Sequence, residues 1–270
     1  MGISVLMSLY AKEVPAYVEK AVQSIAEQTM KADEIVIVED GPLTEELYAL
    51  LEQLQKTCSV PIVRVPLQKN NGLGIALLEG LKHCSQEFTA RMDADDIACP
   101  DRLEKEYTYL KEHPDTAAVG GDIEEFEEEG VILRRKHMPS SYEEVYEYGK
   151  VRNPLNHMTV MFRTDAVRKA GGYRHFPWLE DYDLWSRMLA MGMKIENIPE
   201  VFVQMRLGQN FAARRGGKRY FQQYRKLRRL QKELGYLSEA EYVKALTLTF
   251  IMTRLPDGLR SAAYRRLRKA

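Results

Sequence analysis

Four short β-rich runs in the first hundred residues constrain this chain more than any other feature. They are Ile3–Leu9 (ISVLMSL), Glu34–Val38 (EIVIV), Pro61–Val65 (PIVRV) and Phe88–Met92 (FTARM). The first is apolar enough to be buried on both faces, as strands of a parallel sheet are. Helical patterns separate the runs. Pro15 suits a first helical turn, and Val18, Ala21, Val22 and Ile25 follow at helical spacing. Leu47, Leu50, Leu51 and Leu54 form one stripe over 44–56, and Asn70-Asn71-Gly72 leads into a helix through about Lys82. Such alternation predicts an α/β fold: a Rossmann-like, mainly parallel sheet with helices on both faces.

Ligands on these sheets bind beyond the carboxyl ends of the strands, and acids stand at those ends here. The fourth run stops at Asp93-Ala94-Asp95-Asp96. Three carboxylates after a buried strand repel one another and resist desolvation, and a divalent cation would answer both costs. Oxygen ligands suit Mg²⁺ or Mn²⁺, with phosphates and water completing the shell. Asp93 and Asp95 alternate in an extended segment, so both can face one cleft; the competing reading makes Asp95 or Asp96 a helix N-cap. The second run stops at Glu39-Asp40-Gly41-Pro42. Asp40 there can accept from a nucleobase imide, or the segment is simply a turn. In Trp178–Met188 (WLEDYDLWSRM), Glu180, Asp181 and Asp183 crowd a helix start, where the macrodipole favours anions. Glu180 and Asp183 share a face, whereas Asp181 points about 100° away and can act separately. The competing reading is N-capping beside packed tryptophans. The segment NNGLGIALLEGL fails the dinucleotide GxGxxG pattern because Leu77 stands where glycine is needed, which argues against a hydride-transfer enzyme.

Beyond residue 100 the pattern becomes mixed. We expect a helix from Pro100 to about His113, a strand near Ala117–Gly121 and a solvated hairpin tip over Glu124–Gly130. A strand over His157–Arg163, a helix over Glu180–Met191 and a strand over Val201–Arg206 follow. No repeat or linker interrupts residues 1–210, which read as one domain, with 211–270 as a helical extension. Charge separates the two. The formal net charge is zero, but residues 211–270 carry 16 basic and 4 acidic residues, and residues 1–210 carry 23 basic and 35 acidic. Tyr220, Tyr224, Leu227 and Leu230 predict an amphipathic helix inside the basic segment. Three readings stand for it: helices docked on the acidic body, an anionic membrane surface, or nucleic acid. The last is the weakest, because the body is acidic and no nucleic-acid motif is present. Three unclustered cysteines and a start without a basic n-region fit a reducing cytoplasm.

Taken in order, SVLMSLY, VEDGP, NNGLGIAL, RMDADD, HMTVMFR and WLEDYDLWSRM resemble a family 2 glycosyltransferase with the GT-A fold, over about residues 3–206. The segment QMRLGQNFAARRGGKRYFQQY also resembles bacterial exopolysaccharide and capsule transferases of the amylovoran-biosynthesis type. The resemblance implies a UDP-sugar donor, with Asp40 on the uracil, backbone near Ser8 and Tyr10 lining that pocket, and Asp93 at the nucleotide. It implies Asp93 and Asp95 as DxD positions for Mn²⁺ or Mg²⁺, with Asp95 the direct ligand. Asp181, or in its place Glu180, becomes the base of an inverting transfer to a lipid-linked saccharide at the cytoplasmic face of the membrane. His157, Arg214 and Arg215 become candidates for acceptor or diphosphate contacts, with a structural role also open to His157. Two departures stand out: EDGP replaces the common DDGS, and Leu78–Glu79 occupies the place of a usual Asn. Two other readings remain, a sugar-nucleotide nucleotidyltransferase and a catalytically silent partner subunit. The first would place a basic phosphate-binding loop after strand one, which SLYAKEVP lacks.

Overall fold

The computed structural model describes residues 2–127, 129–207, 217–256 and 258–259. The four runs form strands β1 (Ile3–Leu9), β2 (Glu34–Glu39), β3 (Ile62–Pro66) and β4 (Phe88–Arg91). Helices α1 (Pro15–Ala26), α2 (Glu45–Thr57) and α3 (Leu73–His83) connect them, and all pairings among these strands are parallel. A two-residue strand β5 (Ile97–Ala98) precedes α4 (Arg102–Glu112), β6 (Thr116–Phe126), β7 (Ile132–Lys136) and α5 (Tyr142–Gly149). The expected strand over His157–Arg163 is instead a 3₁₀ turn, His157–Thr159, followed by β8 (Met161–Arg163). The turn is fixed by Thr159, whose backbone N–H and hydroxyl both donate to the Asn156 carbonyl, at 2.9 and 2.8 Å. Then come α6 (Thr164–Lys169), α7 (Glu180–Ala190), β9 (Lys194–Arg206), α8 (Gly217–Glu233) and α9 (Glu239–Arg254).

Among the described residues the strands form one nine-stranded mixed sheet, ordered β3-β2-β1-β4-β8-β6-β9-β5, with β7 on β6. The chain runs outward from β1 to β2 and β3, then returns to place β4 on the other side of β1. That reversal is the switch point where ligands bind in open α/β sheets. Alternate residues supply both layers of the core. Ile3, Val5, Met7, Ile35 and Ile37 pack against α1 and α2, while Leu6, Val36 and Val38 pack against α3. Gly80 lets α3 approach closely: a Cβ there would meet Val38 at 2.6 Å as well as Leu6.

Two expectations need correcting. β6 and β9 are much longer than the short runs read from the sequence and pair in parallel over most of their length. The acidic stretch Glu124–Gly130 is not wholly a solvated tip: Glu125 and Phe126 are buried in β6, with Glu125 paired to Arg134 of β7. The C-terminal helices are docked on the body. Tyr220, Leu227, Arg228 and Gln231 of α8 are buried, with Leu227 packed against Leu179 and Tyr182 of α7 and its approach.

Candidate active site

Three strand ends and one helix start build the site. At the end of β2, the Asp40 backbone N–H donates to the Leu9 carbonyl of β1 at 2.7 Å. The two carboxylate oxygens of Asp40 accept from the backbone N–H groups of Asn71 and Gly72, at 2.7 and 2.9 Å. Asp40 therefore fixes the entry to α3 as well as the end of β2. Gly41 follows with φ +85°, and a Cβ there would lie 2.5 Å from the Asn70 nitrogen, so only glycine fits this turn. A cleft of ≈370 Å³ opens beside it, walled by residues 10–12, 40–42 and Asn70. Tyr10 and Asp40 are thus where the uracil pocket was expected. Ser8 lies inside β1, in register with Val38, and is not among the residues that wall this cleft. Glu39 points inward and is buried against Arg64, whose Nε donates to it at 2.6 Å.

The end of β4 carries a cation that sequence reasoning missed. Arg91 is 2% exposed and forms an ion pair with Asp93. Burial works against its charge, but Asp93 beside it prevails and its pKa is raised. Its Nε has no hydrogen-bond partner. The carbonyl of Arg91 is held from below by Arg102 Nη2 at 2.8 Å, and Arg102 is itself paired with buried Glu106. Around Arg91 the carboxylates hold on to protons. Burial first, then Asp93, pushes Asp95 up to about 6. Asp96 is pushed well above the carboxylate range by burial, then Asp93 and Asp95. Its Oδ1 accepts from the Arg206 backbone at 2.8 Å, while buried Oδ2 has no partner. Glu13, on the loop after β1, was also missed. Burial, then Asp95 and Asp93, raises it to about 7. Arg206 closes this loop from β9, donating from Nε to the Asp95 carbonyl at 3.1 Å and stacking on Tyr17 and Phe126.

The start of α7 supplies the third group. Glu180 is buried, and burial followed by Asp181 raises its pKa to about 8; Arg91 and Asp93 also act on it. Asp181 is more open, and its Oδ2 accepts from Asn153 Nδ2 at 2.5 Å. Asp183 is fully buried and forms ion pairs with Arg174 and Arg187, which tie the start of α7 to the body. Trp178 precedes α7 at φ +67°, the one non-glycine residue at positive φ among the described residues, and is 51% exposed.

His157, a candidate for acceptor or diphosphate contact with a structural role also open, is buried and is not a wall of the cleft beside Asp40. Its ring is buried, with Nε2 2.9 Å from the Tyr173 hydroxyl, and burial, then Arg91, pushes its pKa well below the usual histidine value. An uncharged imidazole packed against Tyr173 and Trp185 suits the structural role. Arg214 and Arg215 lie outside the described residues. Arg91 had a readable signal, a lone charge inside a buried strand, which is costly unless paired. Glu13, Asn153 and Arg206 had none beyond their neighbours.

The donor set is all carboxylate oxygen, which suits a hard divalent cation. Among the described residues no group of three or more His, Cys, Asp or Glu side chains is arranged to hold a metal alone. Asp93 and Asp95 alone supply too few ligands for a cation, so any cation there would need phosphate and water to complete its shell.

An α/β sheet with carboxylates gathered at its switch point has the arrangement of proteins that bind ligands beyond their strand ends. The chain belongs to glycosyl transferase family 2, whose model matches residues 4–173. It is 40% identical over 252 residues to the amylovoran biosynthesis glycosyltransferase AmsE of Erwinia amylovora, covering 92% of this chain and 94% of that one. It is 32% identical over 268 residues to an Escherichia coli UDP-Gal:alpha-D-GlcNAc-diphosphoundecaprenol beta-1,3-galactosyltransferase, covering 98% and 95%. Its fold matches S. aureus TarS 1–349 in complex with UDP-GlcNAc, with a TM-score of 0.70 and 17% identity, over 93% of this chain and 72% of that one. It spans 43% of a longer TarS chain. The GT-A expectation holds, and the nucleotidyltransferase reading falls with family membership.

Proposed function

We propose that this glycosyltransferase inverts configuration as it moves a sugar from a UDP-sugar to a saccharide on a lipid diphosphate. The pathway would be assembly of a bacterial surface polysaccharide, an exopolysaccharide or capsule, at the cytoplasmic face of the membrane. Two named relatives support the setting: one works in amylovoran biosynthesis, and the other takes a diphosphoundecaprenol-linked acceptor. The chemical reading rests on one observation above all. Arg91, buried at the end of β4, is paired with Asp93 just beyond it and also acts on Asp95 and on Glu180 at the start of α7, where Asp181 is the next residue.

The cleft beside Asp40 suits a uracil. Each carboxylate oxygen of Asp40 spends one lone pair on α3 and retains another for an imide N–H. Asp93 and Asp95 would hold Mn²⁺ or Mg²⁺, which when bound supplies positive charge against the departing diphosphate. Asp181 is the base, because Asn153 orients it, whereas Glu180 at about 8 keeps its proton at neutral pH. The acceptor hydroxyl gives its proton to Asp181, its oxygen bonds to the anomeric carbon, and the bond to the diphosphate oxygen breaks with its electron pair, releasing UDP. Among the described residues no helix is long and apolar enough to cross a membrane.

Asp181→Asn should keep UDP-sugar affinity within about twofold by calorimetry while transfer falls about 10²–10⁴-fold, the usual share of a general base. Unchanged transfer would move the base role to Glu180. Absence of any metal-dependent UDP-sugar turnover in the parent would favour the silent-partner reading.

A further inference from the structure

The last two helices leave a face that the fold does not cover. α8 and α9 lie antiparallel: Phe221 meets Phe250 with ring centroids 5.4 Å apart, and Lys232 pairs with Glu239 at the other end. At the Phe221 end, α9 exposes Leu248 (44%), Phe250 (43%) and Ile251 (51%). An apolar helix face of this kind normally belongs inside a protein or against another phase. Basic side chains surround it. Lys218 and Arg225 stand three before and four after Phe221, on the same stripe of α8. Arg254 lies 4.7 Å from the centre of the Phe250 ring, and Lys244 is one turn before Leu248. No acid occurs in residues 217–232 or 242–256. In the sequence Asp257 comes three residues after Arg254, against four cations at this end; Glu233, Glu239 and Glu241 sit at the opposite end of the pair and are engaged by Arg229, Lys232 and Lys150.

We propose that this end of the α8–α9 pair docks on an anionic lipid bilayer, with Leu248, Phe250 and Ile251 entering the interface and Lys218, Arg225, Lys244 and Arg254 meeting lipid phosphates. Apolar side chains ringed by cations match the headgroup boundary of such a membrane, where the two terms reinforce each other. A second copy of this chain is a poorer occupant, since a two-fold contact would set these cations against their own equivalents. The location adds a reason. Phe221 follows Tyr220, whose ring centroid is 6.1 Å from that of Trp178, two residues before Glu180. The docking face therefore lies at the end of α8 nearest the start of α7. This use of the face deepens the proposed lipid-linked transfer, but vesicle binding is measured without turnover, so the two can fail separately.

The test uses the full chain and sedimentation with phosphatidylcholine vesicles, with and without phosphatidylglycerol. The parent should bind the anionic vesicles at low salt, and bind the neutral ones far less. Phe250→Ser with Ile251→Ser should reduce binding at least tenfold, and Arg225→Gln about fivefold, since each juxtamembrane cation contributes about that factor. Circular dichroism of each variant should match the parent. No binding by the parent would overturn the proposal. So would undiminished binding by the folded double variant, which would place the contact elsewhere. A parent dimer in sedimentation velocity, abolished by the same double variant, would show that the occupant is a second copy.

Discussion

Burial brings the carboxylates around Arg91 together, and the same burial works against their charge. Glu13, at about 7, is half-protonated at neutrality and Asp95, at about 6, is half-protonated one pH unit lower, whereas the same groups in an unfolded chain ionise near 4. The sign follows directly. Between about pH 4 and 7 the unfolded chain binds fewer protons than the folded one, so these groups make the metal-free protein less stable as pH rises. A divalent cation reverses the preference by expelling those protons, and its affinity should rise about tenfold per pH unit for each proton displaced. Thermal shifts with Mn²⁺ or Mg²⁺ should therefore be clearly larger at about pH 7.5 than at about pH 5.5. Asp95→Asn should shrink the shift at both and reduce metal-dependent UDP-sugar turnover. An equal shift at both pH values would remove these carboxylates from the metal site.

Among the elements, those held by packing pattern were legible and those held by particular polar contacts were not. β1, β2 and β3 show their apolar density in sequence, and α2 its leucine stripe, because both faces of the strands and one face of the helix are buried. The acids at 40, 93, 95, 180 and 181 were legible too, since charge at a strand end or helix start is unusual without a task. β6 and β9 were read short because Gly120, Gly121 and Pro199 interrupt their patterns, yet parallel pairing carries them across, with register shifts near those positions. Arg228 lies in the basic segment, where nothing in the sequence sets it apart from its charged neighbours. It is buried, donating to the Lys150 and Val151 carbonyls at 2.8 and 2.6 Å and to the Tyr182 hydroxyl at 2.9 Å. Those contacts join α8 to α7 and to the end of α5, and no periodicity announces them. Arg228→Ala should destabilise the protein by about 2–4 kcal/mol, from charged hydrogen bonds lost and carbonyls left unpaired. Differential scanning fluorimetry should show a fall of about 4–12 °C, with α8 newly open to protease. A change under about 1 °C would mean that α8 contributes nothing to the stability of the body.

Along the whole chain, charge is divided in a way that the neutral total hides. Residues 1–210 carry a net charge of −12 and residues 211–270 carry +12. An anionic surface attracts the second segment and repels the first, so the basic segment would be the part drawn to it. That long-range term is screened within about 10 Å at 0.1 M salt, whereas a donor held by the cleft and the Arg91 cluster is governed by short contacts. The two activities should therefore separate with ionic strength. As salt rises from about 0.05 to 0.5 M, the apparent KM for an acceptor carried in anionic vesicles should climb at least about tenfold, the effect of losing one to two cation contacts. Metal-dependent hydrolysis of the UDP-sugar in the absence of vesicles should change less than about twofold, because its Coulomb partners lie inside the screening length. Moving the acceptor into detergent micelles without anionic lipid should remove the difference. Parallel salt dependence in both assays would place the screening at the donor site, leaving the basic end without a part in acceptor capture.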